Sequence, residues 1–320
     1  MIDVPTLVEQ ARAGRPRAVA RLISLVENDS PLLREVATAL APYSGTAQVV
    51  GMTGSPGVGK STSTSALVAA LRKDGKRVGV LAVDPSSPFS GGALLGDRVR
   101  MQDHATDDGV FIRSMASRGH LGGLSAAVPQ ALRVLDAAGC DIVLVETVGV
   151  GQAEVEIASL ADTTAVLLAP GMGDGIQAAK AGILEIADIF VVNKADRDGA
   201  DQVARDLRYM QSLGGRHSEP GAWRPPIVKT VAIRAEGLDD LLAALAKHRD
   251  WLTRSGEFGR RRHARASAEI EAIAVGEVRA RFAEVHGSAV LSRSAQRVID
   301  GELDPYTAAH DLVASLTATA

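Results

Sequence analysis

Residues 54–61 read Gly54-Ser55-Pro56-Gly57-Val58-Gly59-Lys60-Ser61, and the architecture of the whole chain follows from them. They match the pattern G-x-x-x-x-G-K-[ST] in full, between the apolar run 48–53 and the helical pattern 62–73. Glycines let backbone N–H groups close around phosphate oxygens, the lysine supplies positive charge, and the serine hydroxyl can ligate Mg2+. The start of the following helix adds the positive end of its dipole. The sequence therefore predicts a strand, loop and helix that bind a nucleoside triphosphate.

A second motif, Asn193-Lys194-Ala195-Asp196, follows the apolar run 189–192 and indicates which base is bound. The Asp196 carboxylate only accepts hydrogen bonds, so it can take both N1–H and the 2-amino group of guanine. Adenine has an acceptor at N1 and no amino group at C2, so it would leave the carboxylate unmatched. Thr230-Val231-Ala232 is a third element predicted to lie beside the base. Together these motifs predict GTP and GDP as ligands.

Apolar runs alternate with helical patterns along the chain, which is typical of βα units around a mostly parallel sheet. Their apolar character is continuous rather than alternating, which indicates helices on both faces of the sheet. In such α/β folds ligands gather at the carboxyl ends of the strands. The predicted strands are 47–53, 78–83, 110–115, 141–146, 164–169, 189–193 and 227–232.

Acidic residues follow two of these strands, where Mg2+ and the terminal phosphate are expected. Asp84 comes directly after Val83 and Glu146 directly after Val145, both at strand ends, and Asp97 lies on a loop. Because Mg2+ usually takes one or two carboxylates plus phosphate oxygens, some of these residues would act through water. We predict the metal ligands Ser61, Asp84, Asp97 and Glu146, and the catalytic residues Lys60, Asp97 and Glu146. Gln152 is a candidate for positioning the attacking water.

The predicted nucleotide-binding set combines the phosphate loop, the base-reading motif and one glycine after Glu146, whose N–H would meet the outer phosphate. Its members are Gly54, Ser55, Pro56, Gly57, Val58, Gly59, Lys60, Ser61, Thr62, Gly149, Asn193, Lys194, Asp196, Val231 and Ala232.

Helical patterns flank the predicted sheet. Residues 5–43 predict two helices, and 238–252 and 265–285 predict two more. Asp304-Pro305 is typical of the cap and first turn of a last helix. We therefore predict three parts: an N-terminal helical segment at 1–45, a phosphate-loop domain at 46–252 and a C-terminal helical extension at 253–320.

Composition agrees with a soluble α/β enzyme. The chain has 320 residues, 46% hydrophobic content and a net charge of -3, which gives no global attraction to nucleic acid or membrane. The single cysteine, Cys140, precedes an apolar strand and is expected to be a buried thiol. With neither a membrane-spanning run nor a signal peptide in the pattern, we expect a cytoplasmic protein.

The motifs together resemble those of the MeaB/ArgK family. Besides the two motifs above, the resemblance rests on 83–88, Gly91-Gly92, Gly96-Asp97-Arg98, Glu146-Thr147-Val148-Gly149-Val150-Gly151-Gln152 and Pro170-Gly171-Met172-Gly173-Asp174. It implies a SIMIBI-type GTPase that chaperones adenosylcobalamin-dependent methylmalonyl-CoA mutase, gating cofactor delivery and protecting or reactivating the mutase. It also implies switch regions at 86–97, 146–152 and 171–180, and a homodimer formed through the C-terminal extension, with 265–285 as its arm.

Other functions stay open at this point. Another cobalamin-dependent acyl-CoA mutase is an alternative client, and a GTPase that delivers nickel or cobalt is an alternative role, although the chain has seven scattered histidines and one cysteine. The name ArgK reflects an ATP-dependent kinase of transport proteins, which Asp196 argues against. The basic cluster 260–265 favours a solvated helix start or dimer contact over nucleic acid, because acidic residues follow it and no aromatics interrupt it.

Overall fold

The computed structural model describes residues 2–28, 30–84, 101, 103–104, 106–116, 127–147, 153–171, 183–213, 221–285 and 289–317. The chain divides into two compact units, residues 1–262 and 263–320. None of the helices in the described ranges is long and apolar enough to cross a membrane.

A parallel sheet forms the centre of the first unit. Its described strands are β1 (Gln48–Thr53), β2 (Val78–Asp84), β3 (Val110–Ala116), β4 (Ile142–Thr147), β5 (Thr163–Leu168), β6 (Ile189–Val192) and β7 (Ile227–Lys229). They lie in the order β3-β2-β4-β1-β5-β6-β7, and every neighbouring pair is parallel. The prediction of a mostly parallel sheet is confirmed.

Helices connect and cover these strands. They are α1 (Val4–Arg12), α2 (Pro16–Glu27), α3 (Leu33–Leu40), α4 (Lys60–Lys73), α5 (Ala127–Ala137), α6 (Ala153–Leu160), α7 (Ile183–Ile186), α8 (Ala200–Leu213), α9 (Leu238–Ser255), α10 (Glu257–Val285), α11 (Ala289–Ile299) and α12 (Pro305–Thr317). Asp304 caps α12 as predicted, since its carboxylate accepts the N–H groups of Tyr306 and Thr307 at 2.9 and 3.0 Å.

Both faces of the sheet are buried, which explains the continuous apolar runs. Val143 and Leu144 are neighbours in β4 and are both fully buried. Val143 packs in a core with Leu22 of α2 and Leu135 of α5. Leu144 points the other way, into a core with Leu67 of α4. Successive side chains of the strand therefore pack into two cores, one on each face of the sheet. The prediction of helices on both faces is confirmed.

The N-terminal segment forms three α-helices, so the prediction of two helices in residues 5–43 is wrong. Gly14, at φ +76°, separates α1 from α2, and Pro16 stands in the first turn of α2. A third helix, α3, follows before the sheet begins. On the sheet side, Arg113 of β3 donates to Ser24 of α2 at 3.1 Å and also pairs with Glu27. These contacts hold the segment against the edge strand.

Two predicted boundaries are corrected. β7 ends at Lys229 rather than at 232, because Val231 instead forms an antiparallel bridge with Glu236 around a 3-10 turn at Ala232–Arg234. The helix predicted from Arg265 begins eight residues earlier, at Glu257, directly after Gly256 at φ +75° ends α9.

Cys140 lies in the core ahead of β4 and is 2% exposed. Burial raises the pKa of its thiol to about 12, so the side chain stays protonated at neutral pH. This agrees with the prediction of a buried thiol rather than a nucleophile.

A buried polar cluster, which we call the Asp188 cluster, lies at the amino end of β6. Asp188 accepts two hydrogen bonds from Arg261 of α10, both 2.8 Å long, and one from the N–H of Thr164 at 2.8 Å. His248 Nε2 lies 3.3 Å from the same carboxylate. Burial opposes ionisation, but the contacts with His248 and Arg261 outweigh it and hold the pKa of Asp188 below its ordinary value. The cluster fastens the start of α10 to the sheet.

We expect Asp188→Asn to lower the free energy of unfolding by roughly 3 kcal/mol at pH 7, since it leaves Arg261 without its bidentate carboxylate. A carboxylate with a lowered pKa stabilises the fold above its ordinary value of 3.8 and loses that contribution as pH falls through its folded pKa. The difference between wild type and variant should therefore shrink below about pH 4. Urea unfolding of wild type and variant at pH 7 and below about pH 4 measures this difference. The matched control is Asp201→Asn at the exposed pair with Lys229, which should leave the free energy of unfolding almost unchanged; equal losses in the two variants would contradict the prediction.

Candidate nucleotide site

The phosphate loop joins β1 to α4 at the carboxyl edge of the sheet. Gly59 stands at φ +94°, a conformation that L side chains rarely adopt. A Cβ at this position would lie 2.5 Å from Nδ2 of Asn193, so the loop needs glycine both for its backbone angle and for space. Gly59 is thus needed for the close packing of the loop against Asn193 as well as for the curvature of the loop.

Lys60 opens α4 and reaches back across the loop. Its ammonium group donates to the carbonyl oxygens of Gly54 at 2.6 Å and Ser55 at 3.1 Å, and the residue is 8% exposed. A buried ammonium needs such oxygen partners because desolvation is costly. The loop therefore holds a positive charge at the place where the phosphate-binding pattern predicts the outer phosphates.

Ser61 and Glu146 meet beneath the loop. Ser61 Oγ donates to Glu146 Oε1 at 2.6 Å, and the two residues are 7% and 4% exposed. Glu146 is brought there by β4, which pairs with β1 at Met52. The structure thus joins two of the predicted metal ligands. A serine hydroxyl and a carboxylate are hard oxygen donors, which fit Mg2+.

The remaining acidic candidates are placed less completely. Asp84 ends β2, two strands from β1 in the sheet, and the structure describes its backbone position only. Asp97, Gly149 and Gln152 lie outside the described residues, as do nearly all of the predicted switch regions. In the part of the chain that is described, no three His, Cys, Asp or Glu side chains group as a metal site.

Asn193 connects the phosphate loop to the third predicted element. Its Nδ2 donates to Val58 O at 2.9 Å, while its Oδ1 accepts the N–H of Ala232 at 3.1 Å and the hydroxyl of Thr230 at 3.2 Å. The residue is 3% exposed. All polar atoms of this amide are therefore used to hold two loops together, a role that the motif alone did not reveal.

Lys194 makes a second connection. It adopts a left-handed conformation at φ +56°, and its ammonium group donates to Gly57 O at 2.6 Å. A left-handed non-glycine residue costs about 1–2 kcal/mol and persists where surrounding contacts compensate for it. Residues predicted as three separate elements thus form one continuous rim, made of the phosphate loop, residues 193–196 and residues 230–232.

Asp196 lies at the exposed end of this rim. Its carboxylate accepts a hydrogen bond at 3.3 Å from Arg234, which stands in the 3-10 turn after Ala232. Arg234 also donates to Glu236 at 2.7 Å, and this hydrogen bond raises the pKa of its guanidinium above the ordinary value. Sequence reasoning missed Arg234 and Glu236; their nearness to the third base-side element was the available signal.

Comparisons with known proteins agree with this geometry. Residues 19–286 match the family model described as methylmalonyl Co-A mutase-associated GTPase MeaB. A Pyrococcus abyssi protein that carries the name of a GTPase is 48% identical over 309 residues, 97% of this chain and 95% of the relative. The mitochondrial methylmalonic aciduria type A homolog of Caenorhabditis elegans is 34% identical, over 81% of this chain and 69% of the relative.

A solved structure extends the likeness to the fold. The crystal structure of a LAO/AO transport system kinase superposes with a TM-score of 0.70 at 28% identity and covers 99% of both chains. The family match includes the phosphate loop, residues 193–196 and the whole of α10. This chain therefore binds guanine nucleotides and hydrolyses GTP, and it belongs to the MeaB family of methylmalonyl-CoA mutase-associated GTPases.

Proposed function

We propose that this GTPase is a chaperone of an adenosylcobalamin-dependent methylmalonyl-CoA mutase, which gates delivery of the cofactor and protects or reactivates the mutase. The observation that carries the proposal is the match of residues 19–286 to a family described by its association with that mutase. The nematode relative with a methylmalonic aciduria name supports the same process. Another cobalamin-dependent acyl-CoA mutase is the alternative client.

For the reaction, we propose in-line attack of water on the terminal phosphorus of GTP. Lys60 and the backbone N–H groups of residues 57–61 would stabilise the charge that develops on the phosphoryl oxygens. Ser61 and Glu146 would hold Mg2+, with Asp84 and Asp97 as further ligands, directly or through water. The metal supplies charge neutralisation at the outer phosphates. Asn193 and Lys194 would fix the loop, and Asp196, with Val231 and Ala232, would receive the base.

The chaperone role is tested by measuring GTP hydrolysis with and without cobalamin-loaded methylmalonyl-CoA mutase. We expect slow turnover alone and an increase of at least about tenfold with the mutase, because partners of GTPases commonly complete the catalytic arrangement. Glu146→Gln in the presence of mutase controls for contaminating hydrolases. Turnover that is selective for GTP but indifferent to the mutase would reject this client and leave the GTPase activity standing.

The likeness to a transport-system kinase supports a second candidate, phosphoryl transfer from ATP to a protein. Guanine-selective binding by Asp196 would argue against it. The same assay with ATP, and with labelled γ-phosphate to detect phosphoprotein, separates the two.

Delivery of nickel or cobalt is the other alternative role, and it would need a group of metal ligands. The described residues offer no group of three His, Cys, Asp or Glu, and His104 is hydrogen-bonded to Ser65 of α4 at 3.1 Å.

We also propose that a second copy of this chain covers the apolar stripe of α10. Ile270, Ile273 and Val278 are 67%, 51% and 52% exposed, although large aliphatic side chains on one helix face usually pack against something. Three exposed residues at helical spacing support a helix-to-helix contact. This would make the C-terminal extension the dimer arm.

We expect the combined change Ile270→Asp and Ile273→Asp to convert a dimer into a monomer, because buried carboxylates in an apolar contact are strongly unfavourable. Light scattering coupled to size-exclusion chromatography measures the mass. Glu271→Ala, on the same helix, is the control and should leave the dimer intact. A wild-type protein with the mass of one chain would contradict the proposal.

A further inference from the structure

The Asp196 carboxylate lies in a partly exposed position where orientation is not enforced by packing. Its side chain is 36% exposed, and that of Arg234 is 51% exposed. Among the described residues, Arg234 Nη1 donates a side-chain hydrogen bond to its Oδ2 at 3.3 Å. A carboxylate that must receive two N–H groups of one base needs a defined plane. Arg234 is placed to define that plane.

We infer that Arg234, held by Glu236, is a positioning residue that orients Asp196 for guanine and thereby sets discrimination between guanine and hypoxanthine. The inference rests on the proposed base-reading role of Asp196. Arg234 acts through Asp196 and is not itself assigned a contact with the nucleotide.

Arg234 is held by Glu236, a carboxylate that stands two residues away at the antiparallel bridge. Its Nε donates to Glu236 Oε1 at 2.7 Å, and Glu236 is in turn joined to Val231 through backbone hydrogen bonds of 3.0 and 3.3 Å. The turn that carries Arg234 is anchored by the bond between Ala232 N and Asn193 Oδ1 at 3.1 Å. The backbone of the turn that carries Arg234 is therefore held by the same asparagine that contacts the phosphate loop.

Guanine and hypoxanthine differ in the number of hydrogen bonds that depend on the orientation of the Asp196 carboxylate. Guanine offers N1–H and its 2-amino group, so both carboxylate oxygens must point correctly at once. Hypoxanthine, the base of inosine triphosphate, lacks the amino group and engages one oxygen. Loss of orientation should therefore harm GTP more than inosine triphosphate. Exposed ion pairs stabilise folds little, so the effect should appear in recognition and not in stability.

The test compares Arg234→Ala and Arg234→Lys with wild type in steady-state hydrolysis of GTP and of inosine triphosphate. For Arg234→Ala we expect KM for GTP to rise about threefold to tenfold, the range for losing the order of one side chain. KM for inosine triphosphate should rise by less than about half as much, kcat should stay within about twofold, and Tm should not move. Arg234→Lys should be intermediate, since an ammonium keeps the charge but cannot bridge Glu236 and Asp196 as a fork.

Arg297→Ala is the matched control, because Arg297 is 52% exposed and pairs with Glu302 in the second unit. It should behave as wild type with both nucleotides. Equal rises of KM for GTP and inosine triphosphate would overturn the inference, and so would a lower KM, which would mean that Arg234 competes with the base for Asp196. Asp196→Ala tests the proposed base-reading role of Asp196 separately from the role of Arg234. If that variant keeps wild-type KM for GTP, the base-reading role itself fails.

Discussion

Lys60→Ala should lower kcat for GTP hydrolysis by about 10²–10³-fold, the loss expected when a preorganised donor to a developing anion is removed. The physical reason is the position of the ammonium group, which is buried at the mouth of the loop and held by the carbonyl oxygens of Gly54 and Ser55. Transferring the phosphoryl group concentrates negative charge there, and no solvent reorganisation is needed for a charge already in place. Single-turnover hydrolysis of saturating GTP measures the chemical step.

The control for this variant is Lys73→Ala, which removes an exposed lysine at the other end of α4. At 1.5 Å of rise per residue that side chain starts about 20 Å from Lys60, so it should leave kcat unchanged. Affinity for a fluorescent GDP separates binding from chemistry, and Tm confirms that both variants fold. A Lys60→Ala enzyme with kcat within about threefold of wild type would reject the proposed role of the loop lysine.

The sheet was predictable because its strands are buried on both faces. In β4 every residue from Ile142 to Thr147 is buried, and its first four residues, 142–145, are apolar without alternation. Such a continuous apolar run can be recognised from the sequence alone. The N-terminal helices were harder. Gly14 and Pro16 mark the break between α1 and α2, but the short α3 (Leu33–Leu40) is a further helix that the helical period alone did not separate.

The candidate site likewise has features that the sequence predicts and features that depend on tertiary contacts. The phosphate loop and the motif at 193–196 could be identified because their chemistry is written in adjacent residues. The hydrogen bond from Asn193 to Val58 could not, because it joins residues 135 positions apart. Arg234 belongs to the same class, since its distance from Asp196 depends on where β7 ends and the 3-10 turn begins. Local patterns thus predict which groups would recognise the nucleotide, whereas tertiary contacts decide what holds those groups in place.

Asp196→Asn should exchange the base preference from guanine to xanthine. Guanine presents donors at N1 and C2, which suit a carboxylate, whereas xanthine keeps N1–H but has a carbonyl oxygen at C2. An asparagine offers one acceptor and one donor, so its amide would oppose the 2-amino group of guanine and complement the oxygen of xanthine. Mismatched polar groups in a recognition site cost several kcal/mol, so we expect the ratio of kcat/KM for GTP over xanthosine triphosphate to fall by about 10³-fold or more.

The measurement is hydrolysis of GTP, xanthosine triphosphate and ATP by wild type and Asp196→Asn under identical conditions. An increase in hydrolysis of xanthosine triphosphate by the variant is the decisive result, because a misfolded variant would lose GTP hydrolysis without gaining a new substrate. Asp198→Asn, two residues farther along and exposed, is the matched control and should retain the preference for GTP. If Asp196→Asn instead keeps wild-type selectivity, the base is read elsewhere on the rim, and Asn193, Lys194 and the 230–232 segment would be left as clamps on the phosphate loop alone.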